Sequence, residues 1–156
     1  MPVNRNIAAL KPELAAAVKR FLVKCADNYL SVVIVETDRT QEVQNAYYAQ
    51  GRQNISDVNY LRSVAGLYPL KEHENHIVTN AKVSNHTGGG AVDIAPEKTG
   101  ATGYPWWNAP QSLWEKLGAL AEQCGLDWCA GGYGQTWGKG WDNPHFELLR
   151  EFLRKA

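Results

Sequence analysis

Apolar residues recur at three- and four-residue steps near the start of the chain, which predicts an amphipathic helix. They are Ile7, Leu10, Leu14, Val18, Phe21, Leu22 and Cys25. Pro12 suits the first turn of such a helix, because the N–H that proline lacks would have no partner there. The β-branched run from Val32 to Val35 then predicts a buried strand.

The rest of the chain predicts further short elements joined by polar or glycine-rich loops. Thr40 is a suitable N-cap for a helix that Gly51 would end. We expect helices at 41–50, about 58–64, 111–124 and the C-terminus, and strands at 77–79, 91–95, 127–130 and 144–148. Because no repeat or linker divides the chain, residues 1–156 are predicted to form a single α+β domain.

Length, charge and cysteine spacing narrow the classes of function. The chain has 156 residues, with 16 basic and 16 acidic side chains. Nucleic-acid binders usually carry a basic excess, so we expect no nucleic-acid partner. No run is apolar enough for a signal peptide or a membrane span, so we expect synthesis in a cytoplasm and no membrane insertion. The three cysteines lack the C-x-x-C spacing of a cysteine-based zinc site.

A glycine-rich segment carries the first candidate site, S-N-H-T-G-G-G-A-V-D from Ser84 to Asp93. Three consecutive glycines let the backbone turn tightly, so His86 in a loop can face Asp93 on the next strand. Asp93 lies between Val92 and Ile94, and an unpaired buried charge is costly. A cation is the simplest partner, and a turn or capping role for the aspartate is the alternative.

The second candidate segment is W-D-N-P-H-F-E, residues 141–147. Asn143 and Pro144 disfavour a regular strand, so Asp142 and His145 can face the same site. Two histidines and one carboxylate form a three-ligand zinc set with an open position, whereas His145 alone would fit a structural histidine. A carboxylate outside that set can take a proton from water and return it to a leaving amine, and Asp142 is our candidate.

These two motifs resemble those of a known family. Ser84, His86, Gly89, Ala91 and Asp93 match the S-x-H-x-x-G-x-A-x-D signature of the zinc D-Ala-D-Ala carboxypeptidases. That family includes vancomycin-resistance dipeptidases and the L-alanyl-D-glutamate endopeptidase endolysins of phages, and it shares its fold with the Hedgehog signalling domain. The resemblance implies a small antiparallel sheet carrying a zinc site and flanked by helices. It also implies Zn²⁺ bound by His86, Asp93 and His145, with Asp142 as the base.

The resemblance extends upstream to residues 37–42 and 49–52. It implies that Arg39 binds the substrate and polarises it near the scissile carbonyl, where a donor stabilises developing negative charge. We place Ser84 in substrate binding as well. A loop-surface ion pair is the alternative for Arg39. Asp38, where the family often has glycine, and the long segment 52–76 are departures that bear on specificity.

The function implied is that of a phage-type endolysin that hydrolyses the L-Ala-D-Glu bond of peptidoglycan stem peptides. We expect a monomer that acts on the cell wall after release and causes lysis of the host. One alternative is a D,D-carboxypeptidase that removes terminal D-Ala. Others are a lysozyme-like glycosidase with two carboxylates and a zinc-binding protein without catalysis.

Six tryptophans are unusually many for a chain of this length. Four are expected to lie in loops near the site, where they would line a groove for a sugar–peptide polymer: Trp106, Trp107, Trp137 and Trp141. Trp114 and Trp128 are expected to pack in the core.

Overall fold

A computed structural model describes residues 3–129 and 142–149. Within these ranges the helices are α1 (Pro12–Asp27), α2 (Gln41–Ala49), α3 (Ile55–Val64) and α4 (Gln111–Gln123). The strands are β1 (Val32–Glu36), β2 (Ala91–Pro96), β3 (Leu126–Trp128) and β4 (His145–Leu148). Short 3₁₀ turns lie at Ile7–Ala9 and Glu72–Glu74. The predicted α+β class, with a small antiparallel sheet flanked by helices, is confirmed.

The four strands form one sheet in the order β1-β2-β4-β3, and every neighbouring pair is antiparallel. β2 lies between β1 and β4. It consists mainly of small and β-branched residues, as expected for a strand that is covered on both faces. Asp93 is the one charged residue in this strand. The sheet therefore places an acidic side chain at the middle of the fold.

Helices α1 and α4 supply most of the main core. α1 contacts α4, β3 and β4, and its Phe21 ring packs against Phe146 at 5.7 Å between centroids. α4 approaches the sheet closely at Gly118, where an added Cβ would collide with the indole of Trp128. Cys25 is buried in the same core, as expected for a small apolar side chain. None of the described helices has the length and apolar character needed to cross a membrane.

A smaller apolar cluster joins α2 to α3 and includes Val43, Ala46 and Leu67. The predicted cap of α2 is confirmed, since the Thr40 side chain accepts a hydrogen bond from the Val43 N–H. α2 ends at Ala49, and Gly51 follows with a φ of 78°. α2 also forms part of the lining of the cleft described below.

Some sequence predictions differ from the structure. The strand expected at 77–79 is wrong: Ile77 and Val78 are about half exposed, and Arg52, which follows α2, donates to the Thr79 carbonyl where a strand partner was expected. The first helix begins only at Pro12, because residues 7–9 form a separate 3₁₀ turn. α3 starts earlier than expected, at Ile55 behind the capping residue Asn54. The predicted C-terminal helix lies outside the described residues.

Candidate metal centre and cleft

Strand register brings two of the predicted ligands together. Asp93 on β2 lies directly opposite His145 on β4, and on its other side it lies opposite Glu36 on β1. Neighbouring positions across antiparallel strands have Cβ atoms about 4.5–5.5 Å apart, so their side chains meet on one face. The backbone hydrogen bonds of the sheet therefore hold this pair in place.

The glycine run brings His86 to the same place. Gly88 and Gly89 adopt φ values of 83° and 77°, and a Cβ on Gly89 would collide with the Ala9 carbonyl oxygen. The loop is fastened at both sides: the Lys11 N–H donates to the Gly89 carbonyl, and the Arg39 N–H donates to the His86 carbonyl. The tight turn predicted between His86 and the next strand is thus present.

Three side-chain atoms converge in the position predicted for a metal. His86 Nε2 lies 3.3 Å from Asp93 Oδ1, and His145 Nδ1 lies 3.5 Å from the same oxygen. Zinc bonds of about 2.0–2.1 Å at tetrahedral angles place two ligand atoms about 3.3–3.4 Å apart. Asp93 Oδ1 is buried and has no hydrogen-bond partner among the described residues. His86, Asp93 and His145 can therefore hold a metal ion.

The electrostatics of the three groups depend on one another. Burial raises the pKa of Asp93, but the adjacent His145 and His86 more than offset this, so its pKa lies far below the ordinary value. Burial lowers the pKa of His145, but Asp93 and Glu147 outweigh it and raise the pKa to about 9. The carboxylate is thus ionised and ready to accept a cation, whereas a metal must displace the His145 proton.

Asp142 lies at the edge of this group. Its Oδ2 is 3.7 Å from His145 Nδ1, and the turn that carries it is held by the Trp128 indole, which donates to the Asn143 carbonyl at 2.7 Å. Burial raises the pKa of Asp142, and His145 partly opposes this. A carboxyl group with a raised pKa beside a metal position is suited to accept a proton and give it back.

Arg39 forms the ion pair that was one of the two alternatives for it, and it also lines the cleft. Its guanidinium forms an ion pair with Glu36 through two nitrogens, and its Nη1 donates to Gln44 Oε1 at 2.9 Å. The Gln44 amide in turn donates to the Ala81 carbonyl at 2.7 Å. Burial opposes its charge, but Glu36 prevails, so the pKa of Arg39 is raised and the guanidinium stays charged. Arg39 also lines the cleft, so the ion pair fixes its position without removing it from the site.

The three candidate ligands line a cleft of about 960 Å³. Its walls are α2 and the loop 77–84, and its lining includes Ser84, Tyr47, Gln50 and Asp142 together with the three candidate ligands. The Ser84 hydroxyl accepts a hydrogen bond from the His86 N–H at 3.1 Å, so this serine also shapes the loop. A cleft of this size can take a substrate of several residues.

Trp106 and Trp107 do not line this cleft. Trp106 lines a separate pocket at the opposite end of β1, beside Leu30, and Trp107 is about half exposed. Trp137 and Trp141 lie outside the described residues. Trp114 and Trp128 are buried, as predicted.

Sequence reasoning missed four residues at the site, namely Glu36, Gln44, Asn85 and Glu147. Glu147 carried a usable signal, because a residue two positions after His145 on a strand shares its face. Glu36 ends the apolar run of β1, where a buried acid calls for a partner. Gln44 and Asn85 carried no such signal, since their partners lie 37 and 62 residues away along the chain.

One family model matches part of the chain. Residues 78–148 match the family model described as D-alanyl-D-alanine carboxypeptidase. That span contains His86, Asp93, Asp142 and His145, and it leaves Arg39 outside. No curated protein matches the chain in sequence.

Solved structures resemble the fold at low sequence identity. The L-Ala D-Glu endopeptidase ChiX of Serratia marcescens has a TM-score of 0.53 at 16% identity, covering 94% of this chain and 86% of that one. The vancomycin-resistance D,D-pentapeptidase VanY, in complex with Zn(II), has a TM-score of 0.53 at 12% identity, covering 90% and 72%. The LD-carboxypeptidase LdcB has a TM-score of 0.54 at 14% identity, covering 90% and 59%. The resemblance to the zinc D-Ala-D-Ala carboxypeptidases and related endopeptidases is thus found over residues 78–148 by the family model, and the solved structures share the fold.

Proposed function

We propose that the protein is a zinc-dependent peptidase that hydrolyses the L-Ala-D-Glu bond of peptidoglycan stem peptides. His86, Asp93 and His145 are the ligands, and Asp142 is the catalytic base. The observation that carries the proposal is the convergence of two histidine nitrogens on Asp93 Oδ1 at 3.3 and 3.5 Å, the spacing of a tetrahedral ligand set. Zinc bound there supplies Lewis-acid activation of water and of the scissile carbonyl.

Asp142 supplies the proton transfer. It lines the cleft and lies next to His145 without belonging to the converging group, so its carboxylate is free to act on water. It accepts the proton of the attacking water and then passes it to the amine that leaves. Its raised pKa favours the first of these steps, because a weaker acid has a stronger conjugate base.

Arg39 supplies positive charge to the cleft. Three hydrogen bonds to Glu36 and Gln44 fix the guanidinium, and the remaining N–H groups are available to a substrate oxygen. A fixed donor at a developing oxyanion costs no reorganisation during the reaction. Ser84 completes this part of the proposal as a second substrate contact, since it also lines the cleft.

The shape of the cleft favours an endopeptidase over an enzyme that trims the last residue. The lining extends beyond the three candidate ligands to Tyr47, Gln50 and Thr79. A stem peptide cut at L-Ala-D-Glu continues on both sides of the bond, so it needs such length. The similarly folded ChiX is an L-Ala D-Glu endopeptidase, which supports the same choice. The phage origin and the release to the wall remain predictions.

The second candidate is a D,D-carboxypeptidase, which the description of the matching family model favours. Purified peptidoglycan incubated with the zinc-loaded protein, with and without chelator, distinguishes the two by mass spectrometry of the products. We expect chelator-sensitive fragments with a new N-terminal glutamate. Free D-Ala without such fragments would favour the carboxypeptidase. New reducing ends that survive the chelator would overturn both in favour of a glycosidase.

A further inference from the structure

The two ring nitrogens of His145 face different partners. Nδ1 faces Asp93 and the converging ligand group, whereas Nε2 lies 2.8 Å from Glu147 Oε2. Glu147 follows His145 by two residues on β4, so the strand itself places both side chains on one face. The contact is largely shielded from solvent, since the two side chains are 7% and 15% exposed.

Glu147 also links the two halves of the ligand set. The same Oε2 accepts a hydrogen bond from Asn85 Nδ2 at 2.8 Å. Asn85 directly precedes His86, so one carboxylate oxygen connects the glycine loop that carries one histidine with the strand that carries the other. This connection crosses 62 residues of sequence and is made by side chains alone.

The contact determines which nitrogen of His145 can bind a metal. A neutral imidazole carries one proton, and the nitrogen without it offers the lone pair. With Nε2–H donated to the Glu147 carboxylate, the lone pair is left on Nδ1, the nitrogen that faces Asp93. A carboxylate behind a histidine ligand fixes its tautomer and ring orientation, and loss of such a partner typically weakens metal binding 10–100-fold.

We propose that Glu147, supported by Asn85, is a positioning residue that sets the tautomer of His145 and thereby the zinc affinity of the site. This rests on the proposed zinc function. Cys129 also lies near Glu147 and His145, and these three offer ligand atoms within 4.8 Å of one another. The alternative is that zinc binds to these three residues, through Nε2 of His145.

Zinc affinity, measured by competition with a chromophoric chelator, tests the proposal. We expect Glu147→Gln to bind zinc 10–100-fold more weakly than the unchanged protein, because a neutral amide replaces the carboxylate acceptor. Asn85→Ala, a change at an exposed position, is expected to weaken binding by a smaller factor. The matched control is Glu97→Gln, which removes the charge of a carboxylate that accepts one hydrogen bond from the Gly103 N–H outside the site. Its affinity should not change.

A second readout reports the tautomer itself. ¹⁵N NMR of the zinc-loaded protein should show the His145 proton on Nε2, and a proton on Nδ1 would overturn the proposal. Equal zinc affinity in Glu147→Gln and the unchanged protein would overturn it while leaving the zinc function standing. An unchanged protein that binds no zinc would overturn both. The proposal would also be overturned if Cys129→Ser lost zinc while Asp93→Asn retained it. That result would place the ion between Cys129, His145 and Glu147.

Discussion

On one side of the cleft, Asp93 and His145 lie opposite each other on paired strands, whereas on the other side loop 77–84 has no strand partner. The amides of residues 77–83 make no backbone–backbone hydrogen bond within the described part of the chain. Side chains from α2 and the turn after it bind the loop carbonyls instead, with Arg52 on Thr79, Gln44 on Ala81 and Gln41 on Lys82.

We call the side with Asp93 and His145 the strand wall and the side with loop 77–84 the loop wall. Their different support predicts different roles in metal binding and substrate binding. A metal site needs its ligands held within about 0.5 Å, which backbone pairing provides. A wall held by side chains can adjust to a peptide, because opening it breaks only a few hydrogen bonds. Changes on the strand wall should therefore affect metal and chemistry, and changes on the loop wall should affect substrate binding.

The largest expected effect is at the metal ligands. His86→Ala removes one of three ligands, so we expect zinc content to fall and activity to drop to the level of chelator-treated protein. Thermal stability in excess zinc should fall too, because an ion that binds only the folded state stabilises it. Metal analysis and thermal melts with and without zinc check this. Unchanged metal content would remove His86 from the ligand set.

The next largest effect separates chemistry from metal binding at the same site. Asp142→Asn should lower turnover by about 10²–10⁴-fold while zinc content stays the same, because proton transfer is lost and the ligands are kept. Glu115→Gln, an exposed change on α4, serves as the control. Near-normal turnover in the Asp142 variant would show that another group is the base.

A smaller effect is expected on the loop wall. Gln44→Leu leaves one nitrogen of Arg39 and the Ala81 carbonyl without their partner, and each such loss costs about 1–3 kcal/mol. We expect kcat/KM to fall about tenfold, mainly through KM, with zinc affinity unchanged. Gln41→Leu breaks a more exposed hydrogen bond to the same loop and should change little. Loss of zinc in Gln44→Leu would mean that the two walls are not independent.

The smallest expected effect concerns pH. In the metal-free protein the pKa of His145 is raised from 6.5 to about 9, so the folded state holds this proton more tightly than the unfolded chain does. The resulting stabilisation is fully present below about pH 6.5 and is lost as the pH rises through 9. Melting temperatures of metal-free protein at pH 6 and pH 9.5 should show the decline. His145→Asn should lack this component, and an identical decline in that variant would assign it to other groups.

Local sequence determined the parts of the site that depend on short-range geometry. The glycines between His86 and Asp93 permit the positive φ values that the turn requires, and Asn143-Pro144 form a turn before β4 that brings Asp142 close to His145. The cap at Thr40 and the apolar stripe of α1 follow from residues three or four apart. Such features need no knowledge of the rest of the chain, because their partners are close neighbours.

Tertiary structure alone decided which distant residues meet. The register that sets Asp93 opposite His145 depends on the order of the strands in the sheet, and a shift of one residue would turn these side chains to the other face. Likewise, only the tertiary structure decided that Val78 would line a cleft beside α2 instead of forming a strand with Ile77. β-propensity describes how a residue fits a strand, but a strand forms only where an unpaired edge lies within reach.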